Sequence, residues 1–247
     1  MTRIALAGYR GRVGQALVPV FESAPDIDYL GGVGRGDDLG SFLRRHRPEM
    51  LVDFTHPSAA LHNALAAVAA GAVPIVGTSG LRREEGARLR TACGAAGLGG
   101  IVAPNFAIGA VVGIWLAAKA APFFDGVEIL EMHHDGKTDA PSGTALATAR
   151  AIAAARPGAF EAPKASKENL AGTRGGALEG IAIHSVRLPG LVADQEVHFG
   201  LPGQVLTIAH RTTSRDAFAP GVLLAIRRLR KDTTFYDGLG ALLGIPS

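Results

Sequence analysis

Cysteine is almost absent from the sequence, and charge of one sign does not dominate it. The single cysteine, Cys93, excludes an internal disulfide and a metal site rich in thiolates. Because Cys93 lies in an Ala/Gly-rich stretch without a nearby histidine, we interpret it as an inert buried thiol and not as a nucleophile. The net charge is only +3, from 25 basic and 22 acidic residues, so the overall balance indicates no polyanionic partner.

Aromatic residues make up only 6% of the chain, and no pattern of interleaved aromatic and basic residues accompanies its two arginine clusters. Both clusters occur at helical spacing among apolar residues. We therefore expect solvated helix faces and no nucleic-acid partner. The clusters consist of Arg44, Arg45 and Arg47, and of Arg227, Arg228 and Arg230.

Charged residues are missing from the whole stretch 91–118, which is long enough to span a membrane. The stretch nevertheless contains Pro104, Asn105 and six glycines, so we interpret it as a turn, a strand, a loop and a buried helix. A strand-like pattern, RIALAG, begins at residue 3 and leaves no room for a signal peptide. We therefore expect a cytoplasmic protein without a membrane partner.

Short apolar strands alternate with helices over the first hundred residues, which is typical of an α/β fold with a parallel sheet covered on both faces. After Phe106 the pattern changes to helices and then to a β-rich region, before a final helix. We therefore predict two domains, one of residues 1–104 and 216–247 and one of residues 105–215. The predicted strands are RIALAG, IDYLGGV, MLVDFT, VPIVGTSG, GIVAPNF, VEILEMHH, GIAIHSVRL, DQEVHFG and QVLTIAHR; the predicted helices are RVGQALVPVFES, PSAALHNALAAVAAG, 81–94, 108–121, SGTALATARAIAAAR and AFAPGVLLAIRRLR.

A glycine-rich turn, GYRGRVG, follows the first strand and directly precedes the first helix. Gly8, Gly11 and Gly14 have the spacing G-x-x-G-x-x-G, not the commoner G-x-G-x-x-G. A tight turn, a close backbone approach and a helix N-terminus together bind a pyrophosphate, so this context predicts a dinucleotide site. The alternative is a glycine turn with a purely structural role.

The second strand lacks the acid that holds the ribose hydroxyls of NAD in many such sites. Its end reads GGVGRGDD, with Arg35 beyond the strand and both acids late. Arg35, with help from Arg10, fits a 2′-phosphate, whereas the alternative is an ordinary exposed arginine. Two further loops, VGTSG at 76–80 and APNFAIG at 103–109, follow strands at the predicted ligand-binding edge. We expect them to complete a nicotinamide pocket, the alternative being plain glycine turns.

The stretch EILEMHHDGKTDAPSGTA, residues 128–145, places two histidines and a lysine before a helix. In a strand, Glu131 and His133 share one face and His134 lies on the other, so the two histidines can take different roles. A metal site needs a third ligand, and the next histidine, His184, has no usable spacing, so we predict no metal.

The start of the following helix is a predicted anion site. Ser142 is a natural N-cap, and the free N–H groups of Ser142, Gly143 and Thr144 would present the positive end of the helix dipole to an anion. Lys137 reaches from the preceding loop. A histidine acid, a lysine and a carboxylate cradle beside a dinucleotide site indicate a reductase, although a histidine pair alone is more often structural.

The same motifs occur in the same order in the dihydrodipicolinate reductase family of lysine and diaminopimelate biosynthesis, which the chain resembles over essentially all 247 residues. The resemblance is carried by GYRGRVG, VDFTHP, GTSG, APNFAIG and E-x-HHDGKTDAPSGTA, of which the last is the family's signature. It implies an N-terminal Rossmann-type dinucleotide-binding domain and an α+β domain whose mixed sheet binds substrate and builds a homotetramer. It also implies that NADPH or NADH gives hydride to a cyclic dicarboxylate, 4-hydroxy-tetrahydrodipicolinate (dihydrodipicolinate), to form tetrahydrodipicolinate.

The resemblance implies roles for single residues. By position, His133 matches the family's catalytic acid/base and Lys137 its proton donor. The predicted substrate-binding residues are His134, Ser142, Gly143 and Thr144. The predicted cofactor contacts are Gly8, Tyr9, Arg10, Gly11, Arg12, Val13, Gly77, Thr78, Ser79, Ala103, Pro104, Asn105 and Phe106, together with Arg35.

Three positions depart from the family pattern. Ser79 stands where the family usually has threonine, Asp135 adds a negative charge, and Arg35 stands where many members have an acid, which favours NADPH. Two other functions are compatible with the layout. A semialdehyde or homoserine-type dehydrogenase should show a nucleophilic cysteine or another lysine pair, and a non-catalytic dinucleotide sensor has no need of His133 and Lys137.

Overall fold

The computed structural model describes residues 1–246. The chain divides into two compact units, one formed by residues 1–108 together with the chain from Arg215 onward, and one formed by residues 109–214. The sequence places the two boundaries after residues 104 and 215, close to these positions. The functions that it assigns to the two domains stay predictions.

The first unit contains a six-stranded parallel sheet with the strand order β11-β5-β4-β3-β1-β2. The order reverses between β1 and β3, and ligands of such sheets bind outside the carboxyl ends of the strands at such a reversal. The strands are β1 (Thr2–Ala7), β2 (Ile27–Val33), β3 (Met50–Asp53), β4 (Val73–Val76), β5 (Gly100–Val102) and β11 (Phe235–Asp237). The helices are α1 (Arg12–Ser23), α2 (Leu39–His46), α3 (Pro57–Ala69), α4 (Arg83–Ala95), α7 (Ala219–Leu229) and α8 (Leu239–Leu242).

The strands of the first sheet are buried on both faces. Ile4–Ala7 are four consecutive buried residues, and successive side chains of a strand point to opposite faces. Ala5 packs in one cluster with Leu51 of β3 and Ala67 of α3. The predicted α/β class with a parallel, Rossmann-type sheet is therefore confirmed.

The second unit contains a five-stranded mixed sheet with the order β10-β9-β6-β8-β7, in which β6 and β8 are parallel and the other pairs are antiparallel. Ile129 of β6, Phe199 of β9 and Ile152 of α6 share one core cluster, so α6 covers one face of this sheet. The elements are α5 (Ile108–Ala120), β6 (Gly126–His133), α6 (Gly143–Ala154), β7 (Gly176–Leu178), β8 (Ile181–Arg187), β9 (Ala193–Leu201) and β10 (Gln204–Thr212).

The uncharged stretch 91–118 folds as the end of α4, β5, a loop and most of α5, as predicted. The prediction that its helix is buried was wrong. Only Ala110 and Ala117 of α5 are buried, and Leu116 is 43% exposed. Because α5 is apolar on every side, burying one side leaves other apolar side chains at the surface. Within residues 1–246, no helix is both long and apolar enough to cross a membrane.

Candidate active site

The predicted cofactor contacts lie in four loops of the first unit, which follow β1, β2, β4 and β5. In a parallel sheet the carboxyl ends of all strands meet at one edge, so the sequence motifs that lie far apart in the chain share this edge. We call it the cofactor edge. The predicted substrate residues lie in the second unit, at the end of β6, in the loop that follows it and at the start of α6.

The glycine turn leaves no space for a side chain at two of its positions. Gly8 has a φ of +88°, and a Cβ added there would lie 2.4 Å from the carbonyl oxygen of Phe54, which follows β3. A Cβ added to Gly14 would lie 2.3 Å from the carbonyl oxygen of Gly8. The turn after β1 is therefore packed against the end of β3, at the reversal of the strand order.

The start of α1 fits the phosphates of a dinucleotide. Gly11 is the N-cap, and in the part of the chain that the structure describes no side chain caps this helix and no acid lies in its first turn. The first N–H groups of a helix have no intrahelical acceptor, and the helix dipole is positive at this end. The bare glycine turn lets a pyrophosphate approach these donors, so the residues present fit NAD(P)H.

The loop after β2 contains an acid, Asp37, that lies later in the sequence than the acid that binds the ribose hydroxyls in many such sites. Asp37 turns back and accepts a hydrogen bond of 2.7 Å from the N–H of Gly34, and its carboxylate lies 3.7 Å from Nη2 of Arg10. Arg10 also packs over the Tyr9 ring. Arg35 is exposed, and its side chain has no partner among residues 1–246. A carboxylate and two guanidinium groups thus lie near the end of β2, where sequence reasoning expected only the arginines.

Asp53, which ends β3, joins three parts of the cofactor edge. Its buried carboxylate accepts hydrogen bonds from the hydroxyl of Thr78 at 2.7 Å, from the N–H of Thr55 at 3.0 Å and from the amide of Asn63 at 2.8 Å. It thereby ties the loops after β3 and β4 to α3. The motif VDFT contains this acid, but nothing in the sequence shows its partners, so its role was missed.

The loops after β4 and β5 are supported by aromatic packing. A Cβ added to Gly77 would lie 2.2 Å from the Phe54 ring, and that ring packs against Phe106 with centroids 5.8 Å apart. Ala103 and Phe106 are fully buried, whereas Ser79 and Pro104 are exposed. Burial gives Ala103 and Phe106 a packing role beneath the loops, and their predicted cofactor contacts stay predictions.

In the second unit, His133 lies beside a buried carboxylate. Nδ1 of His133 is 2.6 Å from Oε2 of Glu131, which confirms that the two side chains share one face of β6. Glu131 is fully buried. Arg187, at the end of β8, donates to both of its carboxylate oxygens, at 3.0 and 2.8 Å.

The titration of these groups reflects burial and charge together. Burial alone would raise the pKa of Glu131, but hydrogen bonds from Arg187 and His133 outweigh it and lower the pKa below its usual value. Burial lowers the pKa of His133, while the hydrogen bond and the charge of Glu131 act against this shift. The imidazolium of His133 therefore releases its proton more readily than that of a free histidine.

Lys137 is paired in this structure. Its Nζ donates to Oδ1 of Asp139 at 2.6 Å, and this hydrogen bond lowers the pKa of Asp139. The backbone N–H of Lys137 donates to the carbonyl of His134 at 3.1 Å, so the loop turns tightly after β6. The sequence predicts that the ammonium of Lys137 is available to the substrate. It does not predict that this ammonium pairs with the carboxylate of Asp139.

The start of α6 has fewer free donors than predicted. Ser142 is the N-cap, as expected, and its Oγ accepts from the N–H of Ala145 at 3.1 Å. Its own N–H is not free, because it donates to Oε1 of Glu131 at 3.3 Å. The prediction was therefore wrong for Ser142. The N–H groups of Gly143 and Thr144 have no intrahelical acceptor and stay available to an anion.

The second unit thus links an imidazole to the start of α6 through Glu131, and the ammonium of Lys137 is near enough to the imidazole to act on its charge. His134 follows β6 directly and lies beside Gly136. Such a set can bind a carboxylate and move a proton. Among residues 1–246, no group of three His, Cys, Asp or Glu side chains is arranged to hold a metal ion.

Two protein-family models match the chain. The one described as dihydrodipicolinate reductase, N-terminus, matches residues 2–106, and the one described as dihydrodipicolinate reductase, C-terminus, matches residues 109–242. Together they cover the cofactor edge and the segment 133–144.

Individual proteins agree with this match. The 4-hydroxy-tetrahydrodipicolinate reductase of Moorella thermoacetica is 44% identical, over 98% of this chain and 97% of the relative. The enzyme of the same name from Mycolicibacterium smegmatis is 45% identical, over 92% of this chain and 93% of the relative. A solved structure, a dihydrodipicolinate reductase from Paenisporosarcina sp. TG-14 with dipicolinate bound, superimposes with a TM-score of 0.86 at 35% identity, over 98% of this chain and 99% of that one. The chain belongs to the dihydrodipicolinate reductase family, a family of oxidoreductases.

Proposed function

We propose that the protein catalyses the NAD(P)H-dependent reduction of 4-hydroxy-tetrahydrodipicolinate to tetrahydrodipicolinate in lysine and diaminopimelate biosynthesis. In this reaction the ring gains a hydride and a proton and loses water. The observation that carries the proposal is the grouping of His133, Lys137 and the open start of α6 in the second unit, in a chain whose first unit has a glycine turn fitted to a dinucleotide.

The cofactor edge of the first unit holds the dinucleotide. The N–H groups at the start of α1 bind the pyrophosphate, and the loops after β4 and β5 receive the nicotinamide end. When bound, the reduced nicotinamide supplies the hydride. Asp53 fixes the loops after β3 and β4 relative to each other through its hydrogen bonds to Thr55 and Thr78, so that the nicotinamide end can bind there.

We propose a preference for NADPH, with NADH also accepted. Arg10 and Arg35 lie at the loops after β1 and β2, and guanidinium groups bind a 2′-phosphate well. Asp37 favours NADH, since a carboxylate near the end of the second strand accepts hydrogen bonds from the ribose hydroxyls. Arg10 pairs with Asp37 at 3.7 Å, so part of the positive charge is offset.

The substrate binds through its carboxylates in the second unit. The N–H groups of Gly143 and Thr144 receive one carboxylate, and Lys137 and His134 receive the other. Lys137 exchanges its pairing with Asp139 for the substrate. The solved relative with dipicolinate bound supports a planar dicarboxylate as the ligand class.

His133 is the acid that protonates the ring. It lies at the end of β6, four residues before Lys137, and its lowered pKa favours proton release once the ring carries negative charge. Lys137 stabilises that charge and takes part in proton transfer. Its ammonium is close to the site through the tight turn that follows His134.

We also propose a cytoplasmic homotetramer. Exposed apolar side chains of the second unit support association between copies, since Val205 is 71% and Leu116 43% exposed. Size-exclusion chromatography with light scattering tests this part separately, and a monomer at micromolar concentration refutes it.

The reaction is tested by mixing the purified protein with NADPH and with the product of dihydrodipicolinate synthase, and by following the loss of NADPH absorbance. The proposal expects turnover that is lost in His133→Gln. Amino-acid semialdehydes and homoserine serve as control substrates. Turnover of these alone would favour another dehydrogenase, and tight NADPH binding without any turnover would favour a dinucleotide sensor.

A further inference from the structure

Strand β6 carries two clusters of the same composition, one on each face. On one face, Glu131 contacts His133 and Arg187. On the other face, Glu128 contacts His184 and Arg174. The two clusters differ in burial, because the side chain of Glu131 is fully buried and that of Glu128 is 33% exposed. Burying a carboxylate costs free energy of solvation. The burial of Glu131 therefore needs an explanation, whereas the partly solvated pair at Glu128 does not.

We propose that Glu131 is a positioning residue for His133 and that Arg187 holds Glu131 in place. Glu131 accepts a hydrogen bond from the N–H at Nδ1 of His133, which fixes the tautomer and directs Nε2 to the substrate. The inference rests on the proposed function, since it gives His133 the role of proton donor.

The hydrogen bonds of Glu131 leave it no freedom to rotate. Oε1 accepts from Nη2 of Arg187 at 2.8 Å and from the N–H of Ser142 at 3.3 Å. Oε2 accepts from Nη1 of Arg187 at 3.0 Å and lies 2.6 Å from Nδ1 of His133. A carboxylate fixed on both oxygens holds the imidazole that it contacts in one orientation.

Arg187 is fixed in turn by the backbone around the site. Its Nη2 donates to the carbonyl of Asp139 at 2.7 Å, and its Nη1 donates to the carbonyl of Val186 at 2.7 Å. The Glu131–Arg187 pair therefore joins the ends of β6 and β8, the loop that carries Lys137 and the start of α6. The ion pair, whose carboxylate is fully buried, thereby fixes the end of β6 that carries the proton donor.

The pair also sets the charge around the imidazole. The charged groups that face His133 are Glu131 on its own strand, Arg187 on β8, and Lys137 with its partner Asp139 in the loop. Glu131 favours the imidazolium, whereas Lys137 and Arg187 disfavour it. Removing the negative charge of Glu131 should therefore make His133 lose its proton at lower pH.

The test is the pH dependence of kcat/KM with NADPH for the wild type and for Glu131→Gln. Because the acid must be protonated, activity falls as pH rises through the pKa of His133. Loss of an adjacent opposite charge lowers that pKa by about 1–3 units, so the alkaline limb should move to lower pH by this amount. We expect kcat at pH 7.5 to fall on the order of 10- to 100-fold, with a change of less than about threefold in KM for the dicarboxylate.

Glu128→Gln is the matched control. It removes the carboxylate of the second cluster on the same strand and should leave the alkaline limb where it is in the wild type. Glu131→Gln leaves Arg187 without its partner, so Glu131→Gln/Arg187→Met is the second variant if the single one does not fold. The double variant should show the same direction of shift, since the hydrogen bond to Glu131 acts on His133 more strongly than Arg187 does. A folded variant of either kind with the alkaline limb of the wild type overturns the inference.

A second measurement separates this inference from the proposed function. The ¹⁵N chemical shifts of the wild-type imidazoles at pH 8, with His133 assigned by its absence in His133→Gln, report the tautomer without any turnover. The proton on Nδ1 of His133 is the expected result, and a proton on Nε2 overturns the inference. A wild type without reductase activity refutes the proposed function and leaves this measurement to decide the positioning role.

Discussion

The substitution Gly8→Ala tests whether the glycine turn is needed for its backbone geometry. Gly8 combines a left-handed φ of +88° with a contact of 2.4 Å between the added Cβ and the carbonyl oxygen of Phe54. The left-handed conformation costs a residue with a side chain about 1–2 kcal/mol. Overlap with packed backbone costs about 1–3 kcal/mol. We therefore expect a loss of about 2–5 kcal/mol in the free energy of unfolding, a large part of the roughly 5–15 kcal/mol typical of a domain.

Two other glycines separate these contributions. Gly71 has a φ of +77° with no atom within 4 Å of the added Cβ, so Gly71→Ala carries the conformational cost alone. Gly14 has an ordinary φ and a contact of 2.3 Å between the added Cβ and the carbonyl oxygen of Gly8, so Gly14→Ala carries the contact without the cost of a left-handed conformation. In Gly14→Ala, the better helix propensity of alanine offsets about 0.5–1 kcal/mol of the loss in the free energy of unfolding.

The assay is urea unfolding followed by circular dichroism, together with titration of NADPH by fluorescence. Gly8→Ala should be the least stable of the three, and Gly8→Ala and Gly14→Ala should bind NADPH at least about tenfold more weakly, because both displace the start of α1. Gly71→Ala should bind NADPH like the wild type. If Gly8→Ala binds NADPH normally and is no less stable than Gly71→Ala, the close approach at the strand reversal has no role and the reasoning fails.

The remaining predictions concern side chains. His133→Gln should keep NADPH affinity and lose roughly 10²–10⁴-fold in kcat, and a variant within about threefold of wild-type kcat would remove His133 from the reaction. In the wild type, burial lowers the pKa of His133, so kcat/KM should begin to fall at a lower pH than the ordinary pKa of histidine would give. The fall in kcat should come at a higher pH than the fall in kcat/KM, because a bound dianion raises that pKa. Lys137→Ala should lower kcat, raise KM and weaken inhibition by 2,6-pyridinedicarboxylate, whereas Thr144→Ala should act mainly on KM; equal effects of the two on kcat would contradict this division. NADPH should be preferred over NADH by about tenfold at low salt, and less at high salt. Arg35→Ala should remove most of this preference, with Arg10→Ala as the comparison; unchanged selectivity in both variants would mean that neither guanidinium contacts the 2′-phosphate.

Much of the fold could be predicted because its elements have strong local patterns. The predicted limits of α1 and β2 coincide with the observed ones, since a glycine turn precedes α1 and follows β2, and Ala24, Pro25 and Asp26 separate the two. The short elements β7, β11 and α8 were missed, and α2 was anticipated only as a helix face at Arg44, Arg45 and Arg47, without limits. β7 and β11 have three residues each, which is too few for a periodic pattern, and β11 is a strand only because it pairs with β5.

The candidate site could be predicted where a motif is local and not where it depends on distant partners. Alternation along a strand is enough to place Glu131 and His133 on one face. Arg187 lies 56 residues after Glu131, and only the parallel pairing of β6 with β8 brings the two together. The same limit explains the error at Ser142, because the carboxylate that occupies its N–H belongs to another element.

The reaction proposed for this chain is the transfer of hydride from NAD(P)H to the ring of a cyclic dicarboxylate. The most direct measurement uses NADPH deuterated at both C4 positions of the nicotinamide and the product of dihydrodipicolinate synthase, with mass spectrometry of the ring product. We expect a product one mass unit heavier than that formed with ordinary NADPH, at a rate that falls on the order of 10²–10⁴-fold in His133→Gln. A ring product without deuterium, or no consumption of the dicarboxylate by a folded protein that binds NADPH, would contradict it.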